Sequence, residues 1–265
     1  MKQVTDLVEY QELVERYRQH GVRTNDYIQQ EASSLIQQGK LFALCQERNA
    51  FLFVRKDAGM RLYYYLNDLQ DNACLASYKD LVIEILFRSN IPDDEVNYFV
   101  REGFSVNLVR DQYCGTYKDL SIVNVAVGVK FEIARTLEMV AEVCELFNAS
   151  FDRLSGDFIP VAHYAELLSR GAIIVALDAN TNQMLGALHQ TQVRGVNWIS
   201  HVAVKTEARG KRIGSGLVSR FLENNRVDDK TRYMLWVQRQ NEAAVKMYRQ
   251  MGFKYMNKST LSLIK

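Results

Sequence analysis

The chain lacks the marks of several protein classes. Its 265 residues hold four cysteines, Cys45, Cys74, Cys114 and Cys144, far apart and without a Cys-x-x-Cys pair. This predicts buried free thiols in a reducing cytoplasm rather than a disulfide framework. The histidines, His20, His163, His189 and His201, have no metal-ligand spacing with one another or with cysteine, so no metal site is expected. No stretch approaches the roughly 18 apolar residues that span a bilayer. The opening Met1-Lys2-Gln3-Val4-Thr5-Asp6 has no apolar signal-peptide core, and a cytoplasmic protein with no membrane partner is expected. An excess of one charge is also missing: 33 basic against 31 acidic side chains leave +2. Nucleic acid is therefore not the expected partner, and any phosphate binding must be local. With 48% hydrophobic and 24% charged residues, the chain is ordinary globular material, long enough for two domains of about 130 residues each.

Leu7, Tyr10, Val14 and Tyr17 recur at helical spacing, as do Ile28, Ala32, Leu35 and Ile36. Thr24 is placed to cap the second helix and Gly39 to end it. Strands are expected at 41–45, 51–55, 62–66 and 79–87, then a short helix from Pro92 to Gly103-Phe104. Residues 111–124 are polar, contain Gly115, and precede apolar runs at 123–127 and 131–133, which places a junction near Gly128. Beyond it the pattern predicts helices at 136–147 and 160–168 and strands at 173–177, 184–190 and 196–204. A helix over 213–224, a strand over 233–237, a helix over 242–250 and a closing strand from Phe253 complete it.

The halves share a grammar. Leu86-Phe87 precedes a helix and Gly103-Phe104 as Leu235-Trp236 precedes a helix and Gly252-Phe253, at a constant offset of 149 residues. Phe99 falls where Tyr248 stands, and residues 205–216 have no counterpart in the first half. This predicts a duplication in which one copy lost a phosphate loop.

That loop, Arg209-Gly210-Lys211-Arg212-Ile213-Gly214, joins a strand to a helix with Ile213, Leu217, Val218, Phe221 and Leu222 on one face. Unpaired amides and the dipole at a helix start attract a diphosphate. Glycines clear space for it, and Arg209, Lys211 and Arg212 add positive charge. Downstream, Asn241 is placed to cap a helix bearing Ala243, Ala244, Met247, Tyr248 and Met251 on one stripe. A phenol can share or supply a proton at hydrogen-bond distance.

These residues resemble the GNAT superfamily of acetyl-CoA-dependent N-acetyltransferases. The family signature Gln/Arg-x-x-Gly-x-Gly/Ala is matched at its first and last positions by Arg209 and Gly214, with Arg212 where the family prefers glycine. Asn-x-x-Ala-x-x-x-Tyr-x-x-x-Gly-Phe is matched in full by Asn241, Ala244, Tyr248, Gly252 and Phe253. The resemblance covers 131–265 and is weak over 1–128. It implies an α/β (α+β, GNAT-like) fold of two tandem domains, each a mixed, mostly antiparallel sheet flanked by helices. Residues 1–128 would be a degenerate copy without the phosphate loop and 129–265 the catalytic one. It further implies that the backbone of Val202 and Val204 pairs with the pantetheine arm and the acetyl carbonyl. Arg209, Gly210, Lys211, Arg212, Ile213 and Gly214 would hold the pyrophosphate, Asn241 would contact the arm, and Tyr248 would protonate the leaving thiolate.

The expected activity is acetyl transfer from acetyl-CoA, as co-substrate, to a primary amine of a small molecule by direct attack. A protein or peptide acceptor and a non-catalytic acyl-CoA sensor are the alternatives; an aminoacyl transferase drawing on charged tRNA is disfavoured by the near-neutral charge. A monomer fits the tandem layout. No carboxylate lies in strand 196–204, and alternation puts His201 on the face opposite Val202 and Val204. The general base is left unassigned among His189, His201 and Glu166.

Overall fold

The structure is a computed structural model describing residues 1–72, 75–123 and 127–265; Cys74 and residues 124–126 of the expected apolar run lie outside the described residues. The chain divides into two compact units. One comprises Met1–Val109, Leu154–Gly156 and Ser259–Lys265, the other Arg110–Arg153 and Asp157–Lys258.

The first unit contains β1 (Lys2–Gln3), α1 (Leu7–Tyr17), β2 (Arg23–Thr24), α2 (Ala32–Gln37), β3 (Leu41–Cys45), β4 (Ala50–Lys56), β5 (Gly59–Leu66), β6 (Leu81–Phe87), α3 (Asp93–Arg101) and the start of β7 (Ser105–Thr116). Asp6 caps α1 by accepting the Glu9 amide at 2.8 Å, and Tyr10, Leu13 and Tyr17 turn inward. The sheet runs β1-β3-β4-β5-β6, with residues 259–264 against β6, and every pair but β5·β6 is antiparallel. Alternation along β4 feeds two cores. Phe51 and Phe53 pack with Tyr98 and Phe99 of α3, while Ala50, Leu52 and Val54 pack with Tyr10, Leu13 and Leu35 of α1 and α2.

The second unit repeats the plan with β8 (Val129–Ile133), α4 (Leu137–Ser150), α5 (Tyr164–Ser169), β9 (Ile173–Asp178), β10 (Met184–Val193), β11 (Val196–Val204), α6 (Ile213–Asn224), β12 (Arg232–Gln238), α7 (Glu242–Gln250) and the start of β13 (Lys254–Ile264). Its sheet runs β8-β9-β10-β11-β12, with residues 110–116 of β7 beyond β12. Again one pair, β11·β12, is parallel and the others antiparallel. Ile173, Val175 and Leu177 face α4, while Ile174 and Ala176 share a core with α6 and α7. Both units therefore have the mixed, mostly antiparallel sheet flanked by helices, and α6 is the element the first lacks.

Four expectations are corrected. The polar stretch from Asp111 is the second half of a twelve-residue strand, β7. Its Asp111 is buried because Arg239 grips the carboxylate through Nη2 at 2.7 Å and Nε at 3.1 and 3.2 Å, which offsets the desolvation of a charge. Thr24 does not cap α2: it lies in β2, where its hydroxyl accepts the Asp26 amide at 3.1 Å, and α2 begins at Ala32 without a side-chain cap. The helix expected at 160–168 splits into a 3-10 turn, Val161–His163, and α5. Of the described cysteines only Cys144 is buried, Cys45 being exposed and Cys114 half-buried, and all three are free.

Candidate active site

In the second unit β11 and β12 are in parallel register over Asn197–Ile199 and Tyr233–Leu235. Both strands run on, β11 to Val204 and β12 to Gln238, and among the described residues no further pair joins them. A groove opens between two strands that diverge past their last pair. Lys205 donates its amide to the Leu185 carbonyl at 2.9 Å. The backbone groups of Ala203 and Lys205 thus turn toward β10, and those of Val202 and Val204 turn to the edge facing β12. Gly186 holds β10 close to this strand: a Cβ there would lie 2.7 Å from the Ala203 carbonyl oxygen.

After Val204 the chain makes a 3-10 turn, Thr206–Ala208, and enters α6. Arg209 folds back so that its Nε donates to the Val204 carbonyl at 3.2 Å. Gly210, at φ +78°, needs its glycine for the backbone turn, since a Cβ there would meet nothing within 4 Å. Arg212 is also left-handed, at φ 60° and ψ 18°. That conformation explains why glycine suits this position. Arg209, Gly210, Lys211 and Arg212 are exposed. The start of α6 has no side-chain cap, and the amides of Ile213, Gly214 and Ser215 find no acceptor among the described residues. Gly214 is the close-packing glycine: its Cβ position lies 3.4 Å from Met247 Sδ and 3.8 Å from Val204 Cγ2.

Met247 brings α7 to this place. Asn241 caps α7, its Oδ1 accepting the Ala244 amide at 3.1 Å, which accounts for an asparagine three residues before an alanine. Tyr248 is buried with Ile213, Leu217 and Phe253 in one cluster, against which Val202, Val204, Ala244 and Met247 pack. Ala243 lies outside that stripe and is exposed. Burial pushes the Tyr248 phenol up from its ordinary value, so it holds its proton at neutral pH. Its hydroxyl makes no hydrogen bond among the described residues. The helix ends at Gly252, whose φ of +94° and close approach to the Asp119 carbonyl admit no side chain.

Other features escaped the sequence. His189 pairs with His201, but Gln190 pairs with Ile199, so Ser200 is an extra residue that bulges β11. The His189 and His201 rings stack at 5.4 Å with Nδ1 atoms 3.1 Å apart. His201 also meets Phe147 at 5.3 Å and Phe151 at 5.0 Å. Burial, then the neighbouring imidazole, pulls His189 down to about 4. The pair thus sits on the α4 face, away from the Val202 and Val204 side chains. Glu166 of α5 is an exposed partner of Arg170 at 2.9 Å. A cavity of about 300 Å³, lined by Phe131, Gly216, Ser219 and Glu223 among others, lies along α6 rather than at its start. Among the described residues there is no metal-binding cluster and no helix long and apolar enough to cross a membrane.

Residues 140–253 match the family model described as acetyltransferase (GNAT) family. No curated protein matches in sequence. Among solved structures, a GCN5-related N-acetyltransferase from Sphaerobacter thermophilus is similar with a TM-score of 0.60 at 12% identity, over 81% of this chain and 76% of that one. A GCN5-related N-acetyltransferase from Kribbella flavida gives 0.58 at 14%, over 88% and 93%. A tandem GNAT protein from the clavulanic acid biosynthesis pathway gives 0.55 at 13%, over 84% and 82%. At these identities the likeness is one of fold.

Proposed function

Because residues 140–253 form an acyltransferase domain of the GNAT family, we propose that this protein transfers acetyl from acetyl-CoA to a primary amine of a small molecule. Attack is direct, without a covalent enzyme intermediate. The proposal is carried by one observation: a protonated, buried phenol, Tyr248, shares a core with the start of an uncapped helix whose entry loop bears three exposed cations.

When bound, acetyl-CoA supplies a thioester whose thiol has a reference pKa of about 8.5. The free amides of Ile213 and Gly214, with the loop from Arg209 through Gly210, Lys211 and Arg212, hold its pyrophosphate. Val202 and Val204 offer backbone groups along the groove edge, and Asn241 contacts the arm from the start of α7. Tyr248 donates its proton toward the departing sulfur. The amine must be neutral to attack. At pH 7 an amine of pKa near 7.8 is roughly 14% neutral, and a lysine-like amine near 10.4 only about 0.04%. With no carboxylate in β11, the acceptor of low pKa is favoured over a lysine side chain.

In this reading the second unit is the catalytic domain and the first its degenerate copy, working as a monomer in the cytoplasm. Thiol release from acetyl-CoA in the presence of small amines, and its absence with peptides, is the expected result. Release with peptides alone would move the acceptor to protein, and binding without release would make the protein a sensor.

A further inference from the structure

The first unit has the same diverging pair of strands. β5 and β6 are in parallel register at Met60↔Leu81 and Arg61↔Val82 and then run on to Leu66 and Phe87. β4 already pairs with β5 from Gly59 to Tyr65. The other edge of β5, the one facing β6, is nevertheless taken. β2 pairs with it antiparallel, Arg23 against Leu66 and Thr24 against Tyr65.

Asn25, buried at 2% exposure, completes the insertion. Its Oδ1 accepts the Tyr64 amide at 2.8 Å, and its Nδ2 donates to the Leu62 carbonyl at 3.2 Å and to the Glu84 carbonyl at 3.1 Å. One side-chain amide thus bridges both diverging strands, satisfying backbone groups that would otherwise be buried without partners. Arg23 reaches on to Asp94 at 3.0 Å. The first turn of α3 carries Asp93, Asp94 and Glu95, a charge that repels a phosphate.

We infer that residues 23–25 are an internal occupant of the first unit's groove, lying where a cofactor arm would run, so that the chain takes up one acyl-CoA and not two. The count of one rests on the function proposed for the second unit; the plug itself does not.

Two measurements separate these. Amide exchange on the whole chain reads the plug without any ligand: Tyr64 should be as protected as the amides between β4 and β5. Asn25→Ala should speed its exchange by about tenfold or more. If that variant loosens the whole unit, Asn25→Asp, which keeps an acceptor for the Tyr64 amide, should retain protection there. Tyr64 exchanging like open chain in the unaltered protein would overturn the plug. Calorimetric titration with acetyl-CoA should give one site per chain, and two would overturn the inference. No binding at all would refute the acetyl-CoA reading, while the exchange result still decides whether the groove is filled.

Discussion

Phe253 donates its amide to the Tyr248 carbonyl at 3.0 Å and meets the phenol edge-on at 5.7 Å. In the first unit Phe104 does the same to Phe99, at 3.0 Å and 5.6 Å. Gly103 and Gly252 likewise donate at 3.0 Å to Val100 and Arg249. Two helix ends built alike, differing by one hydroxyl, argue for duplication more strongly than a shared order of elements does. They also isolate that hydroxyl as the atom to test.

Tyr248→Phe should fold as well as the original, within about 1 kcal/mol, because the hydroxyl has no hydrogen bond to lose among the described residues. Turnover should fall by about 100-fold, the scale of a positioned proton donor, with acetyl-CoA affinity unchanged. Undiminished turnover in steady-state kinetics would remove Tyr248 from the chemistry.

Arg212→Gly should stabilise the protein by about 1 kcal/mol, since a left-handed conformation costs an ordinary residue about 1–2 kcal/mol and glycine almost nothing. Arg212→Ala keeps the strained dihedrals and should gain nothing. Urea midpoints at constant slope decide it. An unmoved midpoint for the glycine variant would show that loop contacts already offset the strain.

Asn241 joins a structural duty to a proposed binding one, and two variants divide them. Asn241→Ala should lose about 1 kcal/mol with the cap, whereas Asn241→Asp keeps the cap and should hold its melting temperature. Contact with the cofactor arm requires that both raise the KM for acetyl-CoA. A KM that follows stability alone would leave the residue a cap.

His189 should make stability pH-dependent on the acid side. Its folded value is about 4 against about 6.5 for an unfolded histidine. Between those values the unfolded chain binds the proton and the folded one does not, so stability falls as pH drops from 6.5 toward 4 and is unaffected by this group above 6.5. The loss should reach about 2–3 kcal/mol by pH 4. Denaturation midpoints for His189→Gln should show a flatter slope in that window; an identical slope would assign the acid sensitivity to other groups.

The second unit was the more legible because its signals are local. The apolar stripe Ile213, Leu217, Val218, Phe221 and Leu222 is wholly buried, and α6 and α7 begin and end where their stripes and caps predict. What escaped depends on distant partners. Asp111 and Gln112 look like a loop until Arg239 and β12 are beside them. The Ser200 bulge leaves no trace in composition, yet it sets which ring His201 stacks upon. β2 has two residues, and its meaning lies in an Asn25 side chain bonded to carbonyls 37 and 59 residues away. A sequence reports periodicity well, and the occupant of a groove hardly at all.

Residues 259–264 lie against the whole of β6 from Phe87 back to Val82, and Leu81 and Lys265 exchange backbone bonds at 3.0 and 3.1 Å. During synthesis, then, the first unit to leave the ribosome is the last to be finished. Until Ser259 and its successors emerge, β6 waits with an open edge, the kind of template on which other chains add themselves. A frameshift or stop codon between Phe253 and Ser259 would spare every residue assigned to chemistry and still damage the half of the protein that was made first.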